Sequence, residues 1–468
     1  MEKKVIKAGL GYTIGNIALK CISFFTLPIF TRLLTTEEYG LFNTYIAYES
    51  ILCIFVGLSL NISIKTAKYD FKEEYNKFLS STLLLEVFSY IGITILLNLA
   101  YHLISPWFGF GRVILNILTL HAFGTALISF YNQKISLDYE YKNFLKLSVF
   151  NVIGNIILSV VLILFVLEQD GFLGRVLGTV IPIIIISIYI LYYFWKKEKA
   201  TINKKYWKYG LSLSLPLIPH GISQVILASF DRIMIKNMVS DSAAGIYSFS
   251  YNIGMLMQVL YNSVETAWVP YLYEKMNAKD YKFIYDKSKI YLSLFTVIAS
   301  VLLLISPEIV VIMASEEYWE AKSCVFPIIL SCYFYFIYCF SANIEYYYKK
   351  TKYIPIGTTI AAILNIVLNA IFIPKFGYLA AAYTTLVTYA IYAGFHYFIQ
   401  SRICREKIYD GKFFILNIII VIFVTIIANV LLDNIIVRYC IVLISLSIIM
   451  FLFKDKIREL LKLIMKKE

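Results

Sequence analysis

The sequence is poor in charged residues. Only 16% of its side chains are Asp, Glu, Lys or Arg, whereas 60% are apolar. A typical soluble domain has about 25% charged and about 45–50% apolar residues. An apolar surplus of this size exceeds what a water-excluded core can hold, so lipid must cover many of these side chains. The composition therefore argues against an ordinary soluble protein and predicts a membrane protein.

Motifs of histidine and cysteine are also missing. The four histidines are scattered without an HExxH-type motif, and the seven cysteines form no CxxC pair and no zinc-ligand spacing. The loops are short, and no acid–histidine constellation accompanies them. We therefore predict no metal site, no cofactor and no enzymatic activity. A membrane glycosyltransferase or polymerase is the weaker alternative.

Long apolar runs are what the sequence has in abundance. Hydropathy predicts fourteen α-helices of about 20 residues, which is long enough to span a bilayer. The runs lack the period-two alternation of β-barrel strands. No small-residue cleavage site follows the first run, which predicts an uncleaved first span. The predicted spans lie near 8–31, 41–63, 79–104, 112–133, 145–167, 174–194, 209–233, 245–268, 288–313, 322–346, 355–373, 377–400, 412–431 and 436–453.

The basic residues alternate along the connecting segments. With the N-terminus in the cytoplasm, 34 of the 43 lysines and arginines fall in segments predicted inside and eight, Arg175 among them, in segments predicted outside. This distribution follows the positive-inside rule. It predicts a multi-pass protein of the bacterial cytoplasmic membrane with both termini in the cytoplasm. Because the aromatic residues lie within spans rather than among the basic residues, nucleic acid is not an expected partner.

Three sequence similarities indicate an internal repeat at a shift of about 205 residues. In the first, the Ser/Thr and acidic residues of an outer turn are expected to cap a helix that opens at Gly40, and likewise at Gly245. A parallel repeat places the substrate site between its two halves. The aligned pairs are 34–42 with 239–247, 171–174 and Thr179 with 377–380 and Thr385, and Asn155 with Asn365.

The repeat divides the chain into predicted domains. Residues 1–208 form an N-lobe with helices 1–6, and residues 209–400 form a C-lobe with helices 7–12. Residues 401–468 contain helices 13 and 14 and a cytoplasmic tail, and they lie outside the repeat.

Short combinations of Gly, Pro and Tyr recur through residues 5–400. They are Leu27–Leu34, Glu38–Phe42, Asp231-Arg232, Gly245–Ser248, Ala267–Tyr271 and Asn365–Ala382. In this combination the chain resembles the polysaccharide and O-antigen flippases of the multidrug/oligosaccharidyl-lipid/polysaccharide exporter superfamily. The motifs are loose, and they are more specific for the superfamily than for one branch of it.

The resemblance implies an all-α fold of two six-helix lobes in a V around a central cavity that opens alternately to either side. It implies a flippase that moves polyprenyl-diphosphate-linked oligosaccharides from the inner to the outer leaflet for O-antigen or capsule biosynthesis. Implied partners are the lipid-linked oligosaccharide, membrane lipids, a polysaccharide polymerase and other biosynthetic proteins. A cation-coupled multidrug exporter and a lipid II flippase are the alternatives within the superfamily.

Three cations are candidates for substrate binding. Lys20 lies near the middle of helix 1, where a charge is costly enough to suggest a function, and an ammonium group suits a phosphate. The alternatives for Lys20 are a structural pair with Glu49 or snorkelling toward the interface. Arg32 ends helix 1 and is a candidate cation of the cavity rim. Arg232 follows Asp231 at the outer end of helix 7, where an ion pair that fixes the outer gate is the alternative.

The buried acids are candidates for ion coupling. Glu49 and Glu86 lie within predicted spans. Each is expected either to bind a coupling proton or a sodium ion, or to form a structural pair between helices. Asp231 is the third candidate. A proton or sodium gradient is the expected driving force. Glu265 and Glu345 lie near cytoplasmic helix ends, where we expect solvation.

Prolines predict bends in two helices. Pro28 in helix 1, and Pro216 and Pro219 followed by Gly221 in helix 7, are expected to kink their helices and are candidate hinges. The aromatic stretch 333–348 would stack on sugar rings where it faces the cavity. Packing and interfacial anchoring are the alternative for most of these rings.

Overall fold

The computed structural model describes residues 2–452, and the regular elements in this range are all helices. The helices up to residue 197 are α1 (Glu2–Phe25), α2 (Leu27–Leu33), α3 (Thr36–Val56), α4 (Ile64–Asp70), α5 (Tyr75–Leu99), α6 (Tyr101–Phe108), α7 (Arg112–Leu137), α8 (Tyr141–Val161) and α9 (Gly171–Lys197). A 3-10 turn lies at Leu60–Ile62 and a π-helical segment at Leu162–Val166.

The second half of the chain repeats this arrangement and adds a helix pair. Its helices are α10 (Lys204–Ser214), α11 (Ile218–Val225), α12 (Asp231–Met238), α13 (Asp241–Asn277), α14 (Tyr281–Met313), α15 (Ala321–Tyr347), α16 (Tyr353–Phe376), α17 (Tyr378–Ile403), α18 (Gly411–Val430) and α19 (Ile435–Leu452). The segments Leu215–Leu217 and Glu316–Tyr318 are 3-10 turns, and Ile226–Phe230 is π-helical.

Eleven helices of the described chain are long and apolar enough to cross a membrane. Every predicted span coincides with helix, but α13, α17 and α19 do not satisfy these criteria. Many large apolar side chains are exposed along the helices that do, as a lipid-facing surface requires. The chain is therefore a multi-pass, all-α membrane protein, and the count of fourteen spans remains a prediction.

The first helix and the proline-rich helix of the second half are both interrupted. Thr26 separates α1 from α2, and Pro28 stands in the first turn of α2, where its missing amide proton costs no helical hydrogen bond. Pro216 lies in the 3-10 turn that ends α10, and Pro219 lies in the first turn of α11, which also contains Gly221. The α-helical pattern is therefore interrupted at these prolines, whereas the expected kinks and their use as hinges remain predictions.

The helices α3 and α13 begin before the glycines at which they were expected to open. Thr35 caps α3 in a reciprocal capping box with Glu38, and the Ser240 hydroxyl accepts a hydrogen bond from the Ala243 amide at the start of α13. The glycines therefore lie inside the second turn rather than at the N-terminus. The sequence pattern located the caps correctly but misjudged what the glycines are for.

Gly40 and Gly245 allow α3 and α13 to touch backbone to backbone. A Cβ atom on Gly40 would lie 1.8 Å from the Asp241 carbonyl oxygen, and one on Gly245 would lie 2.0 Å from the Thr36 carbonyl oxygen. Beside this crossing, the hydroxyls of Thr36 and Ser242 are 2.7 Å apart. Small residues permit such close helix approach. The crossing joins the two lobes at the face predicted to be the outer one.

The last helix pair is attached to the C-lobe by a buried arginine. Arg438 of α19 is 2% exposed and donates to the Leu304 carbonyl and to both carboxylate oxygens of Glu308 on α14. At the other end of the pair, Asp410 caps α18 and pairs with Lys289 of α14. The hydrogen bond from Tyr285 and the contact with Lys289 lower the pKa of Asp410. These contacts fix α18 and α19 against α14.

We predict that alanine at Gly40 or Gly245 weakens the closed contact between the lobes. A new methyl group at such a crossing must push the helices apart, at a cost of about 1–3 kcal/mol. In a Thr36→Cys/Ser242→Cys chain, oxidative cross-linking should be efficient, and Gly245→Ala should reduce it several-fold. Gly92→Ala is the matched control, because nothing lies within 4 Å of a Cβ at that position. Equal cross-linking in all three chains would contradict this account of the crossing.

We predict that Arg438→Ala loosens the helix pair. It leaves Glu308 without its bidentate partner, and breaking a buried pair costs about 3–5 kcal/mol. The thermal unfolding temperature in detergent should fall by several degrees. Arg402→Ala is the control, because Arg402 is exposed and contacts the Phe398 ring without an ion pair among the described residues. A melting temperature that falls no further for Arg438→Ala than for the control would show that the attachment lies elsewhere.

Candidate functional site

A cavity of about 530 Å3 lies between the lobes. Its walls come from α1, α2, α3, α8 and α9 of the first half and from α13 of the second. Ligand cavities in proteins commonly range over about 300–1,000 Å3. The polar side chains that line it are Lys20, Thr26, Tyr39, Asn43, Asn151, Asn155, Arg175 and Asn252.

Arg175 is the cation held most firmly in this cavity. It lies in the second turn of α9, and its Nη1 donates to Asn155 and to the Ser159 hydroxyl, 2.7 Å away. Its guanidinium carbon lies 3.7 Å from the centroid of the Phe30 ring and 4.6 Å from that of Phe42. Contact with aromatic faces stabilises the cation without neutralising it. The sequence analysis predicted Arg175 to lie in an outer segment, whereas in the structure Arg175 lines the cavity.

A smaller cavity of about 250 Å3 adjoins the first one. It is lined by tyrosines, amides and Arg232, and it shares Asn252 and Met255 with the larger cavity. Arg232 is 8% exposed, its Nη1 donates to the Ala228 carbonyl at 2.7 Å, and its guanidinium carbon lies 4.6 Å from the Tyr251 ring centroid. Of the aromatic stretch 333–348, Tyr335 and Tyr338 line this cavity, whereas Tyr333 is buried in the core.

A hydrogen bond between the lobes lies where the two cavities meet. Asn252 of α13 donates to the Tyr39 hydroxyl of α3 at 2.8 Å. Arg175 lines the larger cavity together with Tyr39 and Asn252, and Arg232 lines the smaller cavity together with Asn252. One arginine from each lobe thus flanks a single polar contact at the lobe interface.

The charge of this site is positive. Lys20, Arg175 and Arg232 line the two cavities, and no Asp or Glu does. Among the described residues none of the three cations forms an ion pair. The pair of Lys20 with Glu49, one of the alternatives for Lys20, is therefore not formed in this structure. Arg232 is buried, Arg175 is partly buried and Lys20 is exposed. A buried charge without a counter-ion is costly in a membrane protein, so these cavities are candidate sites for an anion.

Arg32 is a contact between lobes rather than a cavity residue. It lies at the end of α2, is exposed, and donates to the Pro28 carbonyl at 3.1 Å and to the Ile312 carbonyl of α14 at 2.8 Å. Next to it, the Thr31 hydroxyl donates to the Met313 carbonyl at 2.7 Å. Arg32 therefore helps to join α2 to the end of α14, and it lines neither cavity.

Asp231 is the centre of a hydrogen-bond network within the C-lobe. It is 1% exposed, and its carboxylate accepts hydrogen bonds from Tyr247 at 2.6 Å, Asn369 at 2.6 Å and Thr385 at 2.9 Å. The described residues include no ion pair between Asp231 and Arg232. The network connects α12 with α13, α16 and α17.

The Asn–Thr hydrogen bond in this network has a counterpart in the N-lobe. Asn365 donates to Thr385 at 3.3 Å, and the aligned Asn155 donates to Thr179 at 3.1 Å. The repeat inferred from sequence is therefore visible as the same side-chain contact in both lobes. The charged neighbour differs, because Arg175 contacts the N-lobe pair and Asp231 contacts the C-lobe pair.

Glu49 and Glu86 lie inside the N-lobe, away from the cavity walls. Both are buried, both lie near Cys53, and Glu49 Oε1 and Glu86 Oε2 are without a hydrogen-bond partner. The nearby His121 is 3.1 Å from the Tyr45 hydroxyl. A buried carboxylate oxygen without a donor is expensive, so each acid has room for a proton or a small cation.

The prediction that Glu345 is exposed to solvent was wrong. We expected it to be solvated at a cytoplasmic helix end, but it is fully buried against His396 of α17. Helix position alone predicted exposure, and the packing of α15 against α17 could not be seen in the sequence. No group of three His, Cys, Asp or Glu side chains among the described residues has the geometry of a metal site.

The fold and the cavity together define a class of protein. Two helical lobes meet at a cavity that carries several polar side chains, and their helices touch backbone to backbone at the Gly40–Gly245 crossing. This is the architecture of a multi-pass transporter. Over residues 5–276 the chain matches the family described as "Polysaccharide biosynthesis protein", and it belongs to that family.

Two proteins of Haemophilus influenzae are similar in sequence. One is a protein of the Lsg locus, 23% identical over 380 residues, which covers 78% of this chain and 90% of that protein. The other, described as an uncharacterized membrane protein, is 23% identical over 376 residues, which covers 77% of this chain and 88% of that protein.

Solved structures of the multidrug/oligosaccharidyl-lipid/polysaccharide exporter superfamily share the fold. The lipid II flippase MurJ in an inward closed conformation superposes with a TM-score of 0.76 at 19% identity, covering 95% of this chain and 99% of that one. An inward-facing multidrug resistance MATE transporter superposes with a TM-score of 0.68 at 13% identity, covering 85% of this chain and 97% of that one. The family and the fold are therefore those of flippases and exporters.

Proposed function

We propose that the chain is a flippase for polyprenyl-diphosphate-linked oligosaccharides. The observation that carries this proposal is the charge of the interlobe cavities, which present three cations without ion pairs and no carboxylate. A diphosphate is the anion that a lipid-linked sugar brings to such a site. The family match to polysaccharide biosynthesis supports the same substrate class.

In this proposal each lobe supplies charge to the diphosphate. Lys20 and Arg175 bind it from the N-lobe and Arg232 from the C-lobe, and the arginines offer several N–H donors in a planar arrangement that matches phosphate oxygens. The asparagines of the larger cavity and the tyrosines of the smaller one bind sugar hydroxyls and rings. The prenyl chain stays in lipid while the headgroup moves.

Transport then follows from exchanging which end of the cavity is closed. In this structure the Gly40–Gly245 crossing and the contacts of α2 with α14 close the face predicted to be outer. Separation of these contacts would open the cavity to the outer leaflet, and the helix interruptions at Pro28 and around Pro216 and Pro219 are the proposed hinges. No bond is broken in this cycle, so no catalytic residue is needed.

The alternatives differ in the ligand they require. A multidrug exporter for cationic compounds would need carboxylates in the cavity, and none lines it. A lipid II flippase would also bind a diphosphate, and the likeness to MurJ keeps that substrate as the second candidate. The two diphosphate substrates differ in their glycans, so a direct transport comparison separates them.

The driving force is part of the proposal. Glu49 and Glu86 are buried acids with unsatisfied oxygens, which suits a coupling proton or sodium ion. Asp231 remains the third candidate, although donors from Tyr247, Asn369 and Thr385 already satisfy its carboxylate in this conformation. We expect a cation gradient of one of these kinds to drive export.

We predict that Lys20→Ala abolishes flipping while the protein still folds. Loss of one charge-assisted contact to phosphate costs about 1.5–3 kcal/mol, which corresponds to roughly ten- to hundredfold weaker binding. The measurement uses vesicles containing the purified protein and a fluorescent polyprenyl-diphosphate-linked sugar, with exposure to the outside read by chemical quenching. Arg175→Gln and Arg232→Gln should have effects of similar size.

Arg112→Gln is the matched control for this assay. Arg112 is an exposed cation that contacts His102 and the Tyr101 ring, away from both cavities. Its replacement should leave transport unchanged. Normal flipping by the Lys20→Ala protein would remove Lys20 from the site. Faster movement of lipid II than of the oligosaccharide lipid by the parent protein would favour the second candidate.

A further inference from the structure

The C-lobe contains a buried acid–histidine pair that the proposed transport site does not use. Glu345 of α15 and His396 of α17 are both 0% exposed, with Oε1 and Nδ1 2.6 Å apart. The other polar atom of each side chain, Glu345 Oε2 and His396 Nε2, has no hydrogen-bond partner. The pair is therefore isolated from water and satisfied only by itself.

Aromatic rings and a glycine enclose the pair. The ring centroids of Tyr338, Tyr392 and Phe395 lie 4.8, 4.7 and 5.1 Å from that of His396. On the remaining side a Cβ at Gly357 of α16 would lie 2.6 Å from His396 Nε2. The glycine leaves just enough room for the imidazole, so the position of the ring is tightly fixed.

The titratable groups around the pair do not supply a second positive charge. Among the described residues, α13 contributes Glu265, which Asn343 contacts at 3.4 Å, and α16 presents the uncharged Gly357 and Thr358. On α14, Lys289 pairs with Asp410 instead. The other titratable side chains near Glu345 are Tyr338, Cys339 and Tyr346 of its own helix and Tyr392 of α17.

The number of protons on the pair decides its charge. A carboxylate beside a neutral imidazole would leave a net negative charge in a medium of low dielectric constant, which costs several kcal/mol. One added proton makes the pair neutral overall. The separation of 2.6 Å between Nδ1 and Oε1 is that of a strong hydrogen bond, which an imidazolium donating to a carboxylate would form. The added proton would be shared by the two groups across this hydrogen bond.

The pair is separated from the smaller cavity by a single layer of side chains. Tyr338, Tyr392 and Thr358 line that cavity, and both tyrosine rings also contact His396. The hydroxyls of Thr358 and Tyr392 are 2.9 Å apart. Movement of these tyrosines, with a ligand or with the lobe, would change how the pair is shielded from water.

We propose that Glu345 and His396 together form a proton-binding site that couples transport to a proton gradient. In the closed state the pair holds one proton, and opening of the C-lobe to water on the cytoplasmic side releases it. The proposal rests on the proposed transport function, and it assigns a proton site to the C-lobe in addition to the candidate acids of the N-lobe. No other reactant is required, because the proton enters from one side and leaves on the other.

The first test measures the protonation state of His396 directly. The full-length chain has four histidines, so histidine-selective 15N NMR in nanodiscs is tractable, and the signal lost in His396→Gln assigns this residue. At about pH 7.5, where an exposed histidine such as His102 is mostly neutral, His396 should show imidazolium shifts. In Glu345→Gln it should become neutral. A neutral His396 in the wild-type protein at this pH would overturn the proposal. This measurement is made on the wild-type protein and so does not depend on whether any variant folds.

The second test measures whether transport is coupled to a pH difference across the membrane. Vesicles with a pH difference of one unit and the fluorescent polyprenyl-diphosphate-linked sugar should reach a leaflet ratio shifted about tenfold by the wild-type protein, as one proton per substrate requires. Glu345→Gln, or Glu345→Asp if the first variant misfolds, should still equilibrate the probe but should lose this shift. Glu265→Gln is the matched control and should keep it.

The outcomes separate the two proposals. A Glu345→Gln protein that keeps the full tenfold shift, while Glu49→Gln loses it, would overturn the assignment of coupling to the pair and place it in the N-lobe. Wild-type vesicles that move no probe at all would instead contradict the proposed flippase function. In that case the NMR result still decides whether the pair binds a proton.

Discussion

Positive charge buried without a counter-ion is the constraint on which the proposed function of this protein depends. Arg175 and Arg232 are held in place by carbonyl and side-chain oxygens and by aromatic rings, none of which neutralises them. Such an arrangement costs free energy in the empty protein, and a bound anion recovers it. The hydrogen bond between Tyr39 and Asn252 joins the lobes, and Asn252 lines both cavities, so the proposed ligand site lies where the lobes meet.

The lobes meet through backbone, and this limits how they can move. At the Gly40–Gly245 crossing two helices touch without intervening side chains, so the contact has little surface to adapt and is either made or broken. Packed interfaces of this kind switch between discrete states rather than deform gradually. The hydrogen bonds of Thr31 and Arg32 to the end of α14 lie close by and would break together with the crossing.

Much of the fold was predictable because it follows from hydrophobicity and charge along the chain. The helical spans and the repeat required only local patterns, and the aligned Asn155 and Asn365 form the same bond in each lobe. The site was harder to predict because it depends on which face of a helix points inward. Lys20 was found because a charge in mid-membrane is conspicuous. Arg175 was missed because it lies at the very start of its predicted span and was counted with the outer residues.

Buried pairs across helices left no signal in the sequence at all. Glu345 and His396 are 51 residues apart, and neither belongs to a motif. A helix-end position suggested solvation for Glu345, but the packing of α15 against α17 removed it from water. The same holds for Arg438 and Glu308, whose partnership depends on how the last helices fold back onto α14. Contacts of this kind become visible only when the tertiary arrangement is known.

The duplicated halves have diverged at the one position where their resemblance is closest. Both keep an asparagine bonded to a threonine, yet the N-lobe adds the guanidinium of Arg175 and the C-lobe adds the carboxylate of Asp231. Because a cation accompanies this bond in one lobe and an anion in the other, the two lobes are alike in backbone but not interchangeable in charge.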